Sequence, residues 1–98
     1  MTIHPTREND KLAVALEGRL DTMSAPELEE LLNKHLPAIS SLTLDLEKLD
    51  YISSAGLRVL LTAHKSLMNK DGLVIRNANE LVKEVFEVTG FSDVLNIE

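Results

Sequence analysis

The chain has 98 residues, 44% of them hydrophobic, and a formal net charge of −6. This length fits one domain with a real core, and the acidic balance argues against binding to nucleic acids or to a membrane surface. The absence of cysteine excludes disulfides, thiolate metal sites and cysteine nucleophiles. We see neither a secretory signal nor an apolar segment of bilayer length, so we expect a cytoplasmic protein without membrane insertion.

The N-terminal region predicts an antiparallel hairpin. Residues Lys11–Glu17 alternate in hydrophobicity and predict a strand that ends at Gly18. Residues Thr2–Arg7 predict a weaker strand, which Pro5 restricts to a sheet edge. The turn residues at 8–10 join the two strands.

The first helix is expected from Ser24 to the residue before Pro37. Ser24 and Glu27 have the spacing of a capping box, in which a hydroxyl and a glutamate satisfy each other's free backbone N–H groups. Leucines then recur at helical spacing along this segment. The segment therefore predicts an amphipathic helix.

The remainder alternates strands and helices. We expect strands at Leu42–Leu46 and Leu73–Ile75, a helix at Ser54–Met68 and another from Asn79 to Val88. A last short strand is expected within residues 91–97. The residues expected to face the core from the last two helices are Leu57, Leu60, Leu61, His64, Met68, Leu81, Val82, Val85 and Phe86. This order predicts one α/β domain over residues 1–98, with a mixed sheet, an antiparallel edge hairpin, parallel βαβ crossovers and helices mainly on one face.

Residues 49–58 carry the most unusual chemistry, because two serines precede two small residues where a strand leads into a helix. Sites in open α/β sheets gather at this edge. A phosphate on Ser54 would meet free N–H groups and the positive end of the helix dipole. The small residues Ala55 and Gly56 would let a large partner approach. On chemistry alone, however, the commoner role is structural, with Ser54 only capping the helix and Gly56 only permitting close packing.

The segments Gly18–Asp21 and Asp50–Leu57, together with the strand at 42–46, resemble the STAS domain of bacteria over residues 11–95. A short chain of this kind is similar to the stand-alone anti-sigma factor antagonists. The resemblance implies a partner that is an anti-sigma factor and a serine kinase. In this family the kinase phosphorylates one serine of the antagonist, so the resemblance also implies a phosphatase that removes this phosphate.

Aligned on Gly56 and Leu57, the phosphorylated serine of the family falls on Ser54, with Ser53 as the second choice. Ser53 stands where the family commonly has aspartate. The residues that the resemblance places at the partner interface are Asp21, Thr22, Ser53, Ala55, Gly56 and Arg58.

Two alternatives remain open. The missing aspartate before Ser54 is compatible with a scaffold that does not switch, as a subunit of a stress-sensing or lipid-transport assembly. A small nucleotide-binding or nucleotide-hydrolysing protein is the third possibility, although no phosphate-binding glycine loop is present.

We expect no enzyme activity, metal or cofactor. No nucleophile elbow surrounds Ser54, and the spacing of His4, His35 and His64 is not that of metal ligands. The oligomeric state expected is a monomer or a weak dimer.

Overall fold

The computed structural model describes all 98 residues and contains one five-stranded sheet with three α-helices. The strands are β1 (Thr2–Glu8), β2 (Lys11–Leu20), β3 (Ser41–Ile52), β4 (Gly72–Arg76) and β5 (Asn96–Ile97). The helices are α1 (Ala25–His35), α2 (Ser54–Leu67) and α3 (Glu80–Val88). Short 3-10 turns follow α1 and α3, at Leu36–Ala38 and Phe91–Asp93.

The strands lie side by side in chain order, with β1 antiparallel to β2 and every other pair parallel. The mixed sheet and its edge hairpin are therefore as predicted. Asn9 occupies the two-residue turn of the hairpin with a φ of 57°, a left-handed conformation that asparagine tolerates well.

One face of the sheet carries the core. Alternate residues of β2 and β3, such as Val14 and Leu44, are fully buried, whereas the intervening Ala13 is exposed. Each parallel connection contains one helix, and the three helices cover this same face. No helix covers the opposite face, where polar residues such as His4, Thr43 and Asp45 lie among small or apolar ones such as Ala13 and Val74, which matches the expectation of helices mainly on one side.

Strands β2 and β3 both extend beyond the residues predicted from the sequence. Strand β2 continues through Gly18 to Leu20, and β3 continues to Ile52 instead of ending at residue 46. Gly18 has a φ of +103°, and the β2–β3 register shifts on both sides of it. Irregular pairing of this kind lets a strand continue past residues that break the alternation.

The predicted capping box at Ser24 is wrong. Ser24 precedes α1 in a helical conformation, and its side chain makes no capping hydrogen bond. The hydroxyl instead donates to the carbonyl of Arg19 at 2.7 Å and accepts from the N–H of Asp21 at 2.9 Å. Ser24 thus stabilises the turn before the helix.

Two helix faces also differ in detail from the prediction. Met68 and Leu81, expected in the core, are 62% and 51% exposed. Ala63 and Leu67 are the buried residues in the C-terminal half of α2. They are four residues apart, and residues at this spacing lie on the same face of a helix.

Candidate functional site

The candidate site lies at the carboxyl ends of β2 and β3. These neighbouring strands pair Leu20 with Ile52 at their last residues. The N–H of Ser53 then donates to the carbonyl of Leu20 at 2.8 Å. The β2–α1 turn and the start of α2 are therefore held side by side.

Ser53, and not Ser54, is the N-cap of α2. Its backbone is extended, and its hydroxyl accepts from the N–H of Gly56 at 3.4 Å. Its carbonyl accepts from the N–H of Leu57 at 2.9 Å. Ser53 therefore supplies the capping role that the sequence analysis considered for Ser54.

Ser54 is the first residue of α2 and is exposed. Its hydroxyl takes part in no hydrogen bond within the protein. The first N–H groups of any helix have no acceptor within the helix. Ser54 thus presents a free hydroxyl at the positive end of the helix dipole.

The turn between β2 and α1 is built around Asp21. One carboxylate oxygen accepts from the N–H groups of Met23 and Ser24 at 3.0 and 3.1 Å. The N–H of Ser24 contributes most to holding the pKa of Asp21 below its usual value, with further contributions from Met23 and from the nearby Arg19. The Asp21 carboxylate therefore shapes this turn and is already occupied by the residues that follow it.

A shallow groove of about 160 Å³ runs between the N-terminal parts of α1 and α2. Three of the predicted partner-binding residues, Thr22, Ala55 and Arg58, line it together with Glu29 of α1. Thr22 comes from the β2–α1 turn and Ala55 from the first turn of α2, two segments that the Ser53–Leu20 hydrogen bond holds side by side. We call this feature the α1–α2 groove.

Gly56 does not reach this surface. It is buried, and a Cβ added to it would lie 2.7 Å from Cγ of Leu20. Of the two roles considered for this glycine, close packing is the one that the structure displays. A direct contact with a partner is incompatible with its burial.

A second cation, Arg19, lies beside the Asp21 turn. The guanidinium of Arg19 stacks over the ring of Tyr51 at 4.5 Å and approaches the Asp21 carboxylate at 3.8 Å. Arg19 thus has two partners within the fold.

Met23 is a surface residue of the site that was not predicted from the sequence. Its side chain is 88% exposed, the highest value among the large hydrophobic residues. It follows Thr22 in the turn that Asp21 holds. No periodicity covers a turn, so the only available signal was an apolar residue between a strand and a helix.

The histidines have different neighbours in the fold. Nε2 of His4 lies 3.6 Å from a carboxylate oxygen of Glu17, and Nδ1 of His35 lies 3.3 Å from the guanidinium of Arg7. No group of three histidine, aspartate or glutamate side chains is arranged to hold a metal ion. None of the helices has both the length and the apolar character needed to cross a membrane.

The protein is thus a small α/β domain with helices on one face of its sheet and an exposed serine at the start of α2. Residues 3–96 match the family described as Mlab, STAS domain. The chain therefore belongs to the STAS domain family.

Two relatives align over most of the chain. BtrV of Bordetella bronchiseptica, a candidate anti-sigma factor antagonist, is 40% identical over 88 residues, which are 88% of this chain and 76% of BtrV. The anti-sigma-B factor antagonist of Listeria monocytogenes is 31% identical over 94 residues, which are 94% of this chain and 82% of that protein. Within the STAS domain family, the chain is thus related to the anti-sigma factor antagonists.

The fold matches that of the anti-sigma factor antagonist SpoIIAA. Unphosphorylated SpoIIAA superposes with a TM-score of 0.85 at 17% identity, over 99% of this chain and 88% of SpoIIAA. Phosphorylated SpoIIAA, from Bacillus, gives a TM-score of 0.77 at 16% identity, over 99% and 91% of the two chains. At such identities the likeness concerns the fold.

Proposed function

We propose that this protein is an anti-sigma factor antagonist that binds an anti-sigma factor serine kinase and is switched off by phosphorylation of Ser54. The observation that carries the proposal is the exposed Ser54 hydroxyl at the first position of α2, free of hydrogen bonds within the fold. The names of the relatives support the antagonist role. The unphosphorylated protein would sequester the kinase and so release the sigma factor.

The docking surface that we propose is the α1–α2 groove with the Asp21 turn beside it. Thr22, Ala55 and Arg58 line the groove, and Met23 projects from the turn. This surface combines small and apolar groups with the unpaired cation of Arg58 and the carboxylate of Glu29, on a protein whose net charge is −6. The partner should therefore present an apolar socket with an acidic group near it.

The chemical step is transfer of the γ-phosphoryl group of ATP to the oxygen of Ser54. The new bond joins this oxygen to phosphorus, the bond from phosphorus to the bridging oxygen breaks, and ADP leaves. The proton of the hydroxyl passes to a base that the kinase supplies. The antagonist contributes only the acceptor and its placement, so we propose no enzymatic activity for it.

Ser54 suits this role better than Ser53 does. Ser53 is half-buried, and its hydroxyl accepts a hydrogen bond from the N–H of Gly56. Phosphorylating Ser53 would require the cap to rearrange, whereas Ser54 faces solvent at the positive helix end.

The phosphate would prevent docking by its charge. It adds about −1.5 to −2 charges at neutral pH, next to a groove where Arg58 is the cation. An acidic group on the partner would then meet a like charge. A phosphatase that removes the phosphate would restore binding, and we propose that the protein meets both partners in the cytoplasm.

The second candidate function is a scaffold that does not switch, within a larger assembly such as a stress-sensing or lipid-transport complex. Ser53 favours it, because the pattern of the antagonists commonly has aspartate before the phosphorylated serine. The description of the matching family also names Mlab and does not name an antagonist.

A binding experiment separates the two functions. The cognate kinase should bind the wild type and Ser54→Ala with equal affinity, and should bind Ser54→Asp at least tenfold more weakly. Ser66→Asp is the matched control, since Ser66 is an exposed serine on the same helix. Equal binding of Ser54→Asp and Ser66→Asp would contradict the switch and favour the scaffold.

A further inference from the structure

Arg58 is the one arginine of this protein without a partner in the fold. The other three are engaged: Arg7 with the carbonyls of Asn9 and Ala38, Arg19 with Tyr51 and Asp21, and Arg76 with Glu98. Arg58 has no carboxylate within 4.0 Å, and its side chain makes no hydrogen bond. Its guanidinium is therefore free to take a new anionic partner.

Arg58 also lies four residues after Ser54 on the same helix. Side chains at this spacing are neighbours on a helix surface, with Cβ atoms about 5–6 Å apart. Both residues are exposed. An anion that precedes a cation by four residues is the more favourable order, because it also matches the helix dipole.

We propose that phosphorylation of Ser54 draws the Arg58 guanidinium into an ion pair with the phosphate and so withdraws it from the α1–α2 groove. This inference rests on the proposed function, because it assigns a role to Arg58 at the same phosphorylation site. The modification then changes the docking surface twice. It adds a dianion and removes the free cation that would face the partner.

The choice of partner follows from the available charges. Glu29 also lines the groove but forms no ion pair with Arg58. A phosphate offers three acceptor oxygens and nearly twice the charge of a carboxylate, and guanidinium binds it through two parallel hydrogen bonds. The phosphoserine therefore competes successfully with Glu29 for Arg58.

The test needs no kinase if phosphoserine is installed at position 54 during synthesis of the full chain. Phosphorus NMR then follows the second ionisation of the phosphate against pH in four proteins: wild type, Arg58→Gln, Arg58→Lys and Lys65→Gln. Pairing with Arg58 stabilises the dianion, so its pKa should be about 0.3 pH units lower, or more, in wild type than in Arg58→Gln. Arg58→Lys should restore part of the difference.

Lys65→Gln is the matched control, because Lys65 is an exposed cation of the same helix but lies eleven residues beyond Ser54. It should titrate as the wild type does. Identical phosphate titrations in wild type, Arg58→Gln and Lys65→Gln would overturn the pairing.

Kinase binding tests the consequence. We divide the affinity of the kinase for the unmodified protein by its affinity for the phosphorylated protein. This ratio should be at least threefold smaller in Arg58→Gln than in Lys65→Gln. An unchanged ratio would overturn the withdrawal of Arg58 from the docking surface. If the unmodified wild type does not bind the kinase, only the proposed function is refuted. The phosphate titration tests the pairing of Arg58 with the phosphate without any kinase.

Discussion

Gly56 of α2 packs directly against the side chain of Leu20 at the end of β2. A Cβ at position 56 would lie 2.7 Å from Cγ of Leu20 and 3.0 Å from Cγ1 of Ile52. Both neighbours are buried core residues. This contact fixes how closely the start of α2, and with it Ser54, approaches the sheet.

Gly56→Ala should therefore destabilise the protein, although alanine is the better helix former. We expect a loss of about 1–3 kcal/mol in the free energy of unfolding, because overpacking outweighs the propensity gain of about 1 kcal/mol. Urea denaturation measures it. Thr62→Ala, at an exposed position of the same helix, should change stability little, and equal stability of the two variants would refute the packing role.

The two adjacent serines should respond differently to substitution by alanine. Ser53→Ala removes the N-cap and should lower the free energy of unfolding by about 0.5–1 kcal/mol. Ser54→Ala removes an exposed hydroxyl without partners and should leave stability nearly unchanged. Thermal and urea unfolding compare them directly, and a larger loss from Ser54→Ala would reverse the roles assigned here.

Asp21 should make stability depend on pH in the acid range. Its pKa lies below the ordinary value of 3.8, so on acidification the unfolded chain binds the proton first. Its contribution is complete above pH 3.8 and is lost as the pH falls through the lower pKa of the folded state. Asp21→Asn should flatten this part of the stability profile.

The control for this profile is Asp50→Asn, because the Asp50 carboxylate is exposed and accepts no hydrogen bond. Asp10, whose pKa is lowered chiefly by the Ser40 hydroxyl, contributes in the same range in both variants. Parallel profiles for Asp21→Asn and Asp50→Asn would contradict the role of the Asp21 turn.

Met23 should matter for binding and not for folding. It is 88% exposed at the turn, whereas Met68 is 62% exposed just after the other end of α2. Met23→Lys should weaken kinase binding about tenfold or more, because a docked methionine would be replaced by a charge. Met68→Lys should bind as the wild type does. Calorimetry on both variants decides, with equal affinities counting against the proposed surface.

The sequence predicted the element order, the parallel connections and the edge hairpin. The alternation of apolar residues in β2 and their helical spacing in α1 each reflect burial of one face of the element. One buried face per element is enough to indicate a sheet covered by helices. The end of α3 is also regular, since Gly90 follows the C-cap Thr89 with a φ of +81°, the left-handed conformation that commonly ends a helix.

The end of β3 was not predictable in the same way. Glu47 and Lys48 interrupt the alternation, and the β2–β3 register shifts beside them. The pairing of Ile52 with Leu20 depends on this long-range register, which no local pattern encodes. The identity of the cap was not predictable either, because Ser53 and Ser54 are adjacent and serine suits the N-cap at either position, whereas the structure has the cap at Ser53.

The most direct measurement is to incubate the wild type, Ser54→Ala and Ser53→Ala with the cognate kinase and ATP, and then map phosphate by peptide mass spectrometry. We predict one phosphate on Ser54 in wild type and in Ser53→Ala, and none in Ser54→Ala. Phosphate on Ser53 with Ser54 unmodified, or no phosphate on either serine while the kinase remains active on another substrate, would contradict the account.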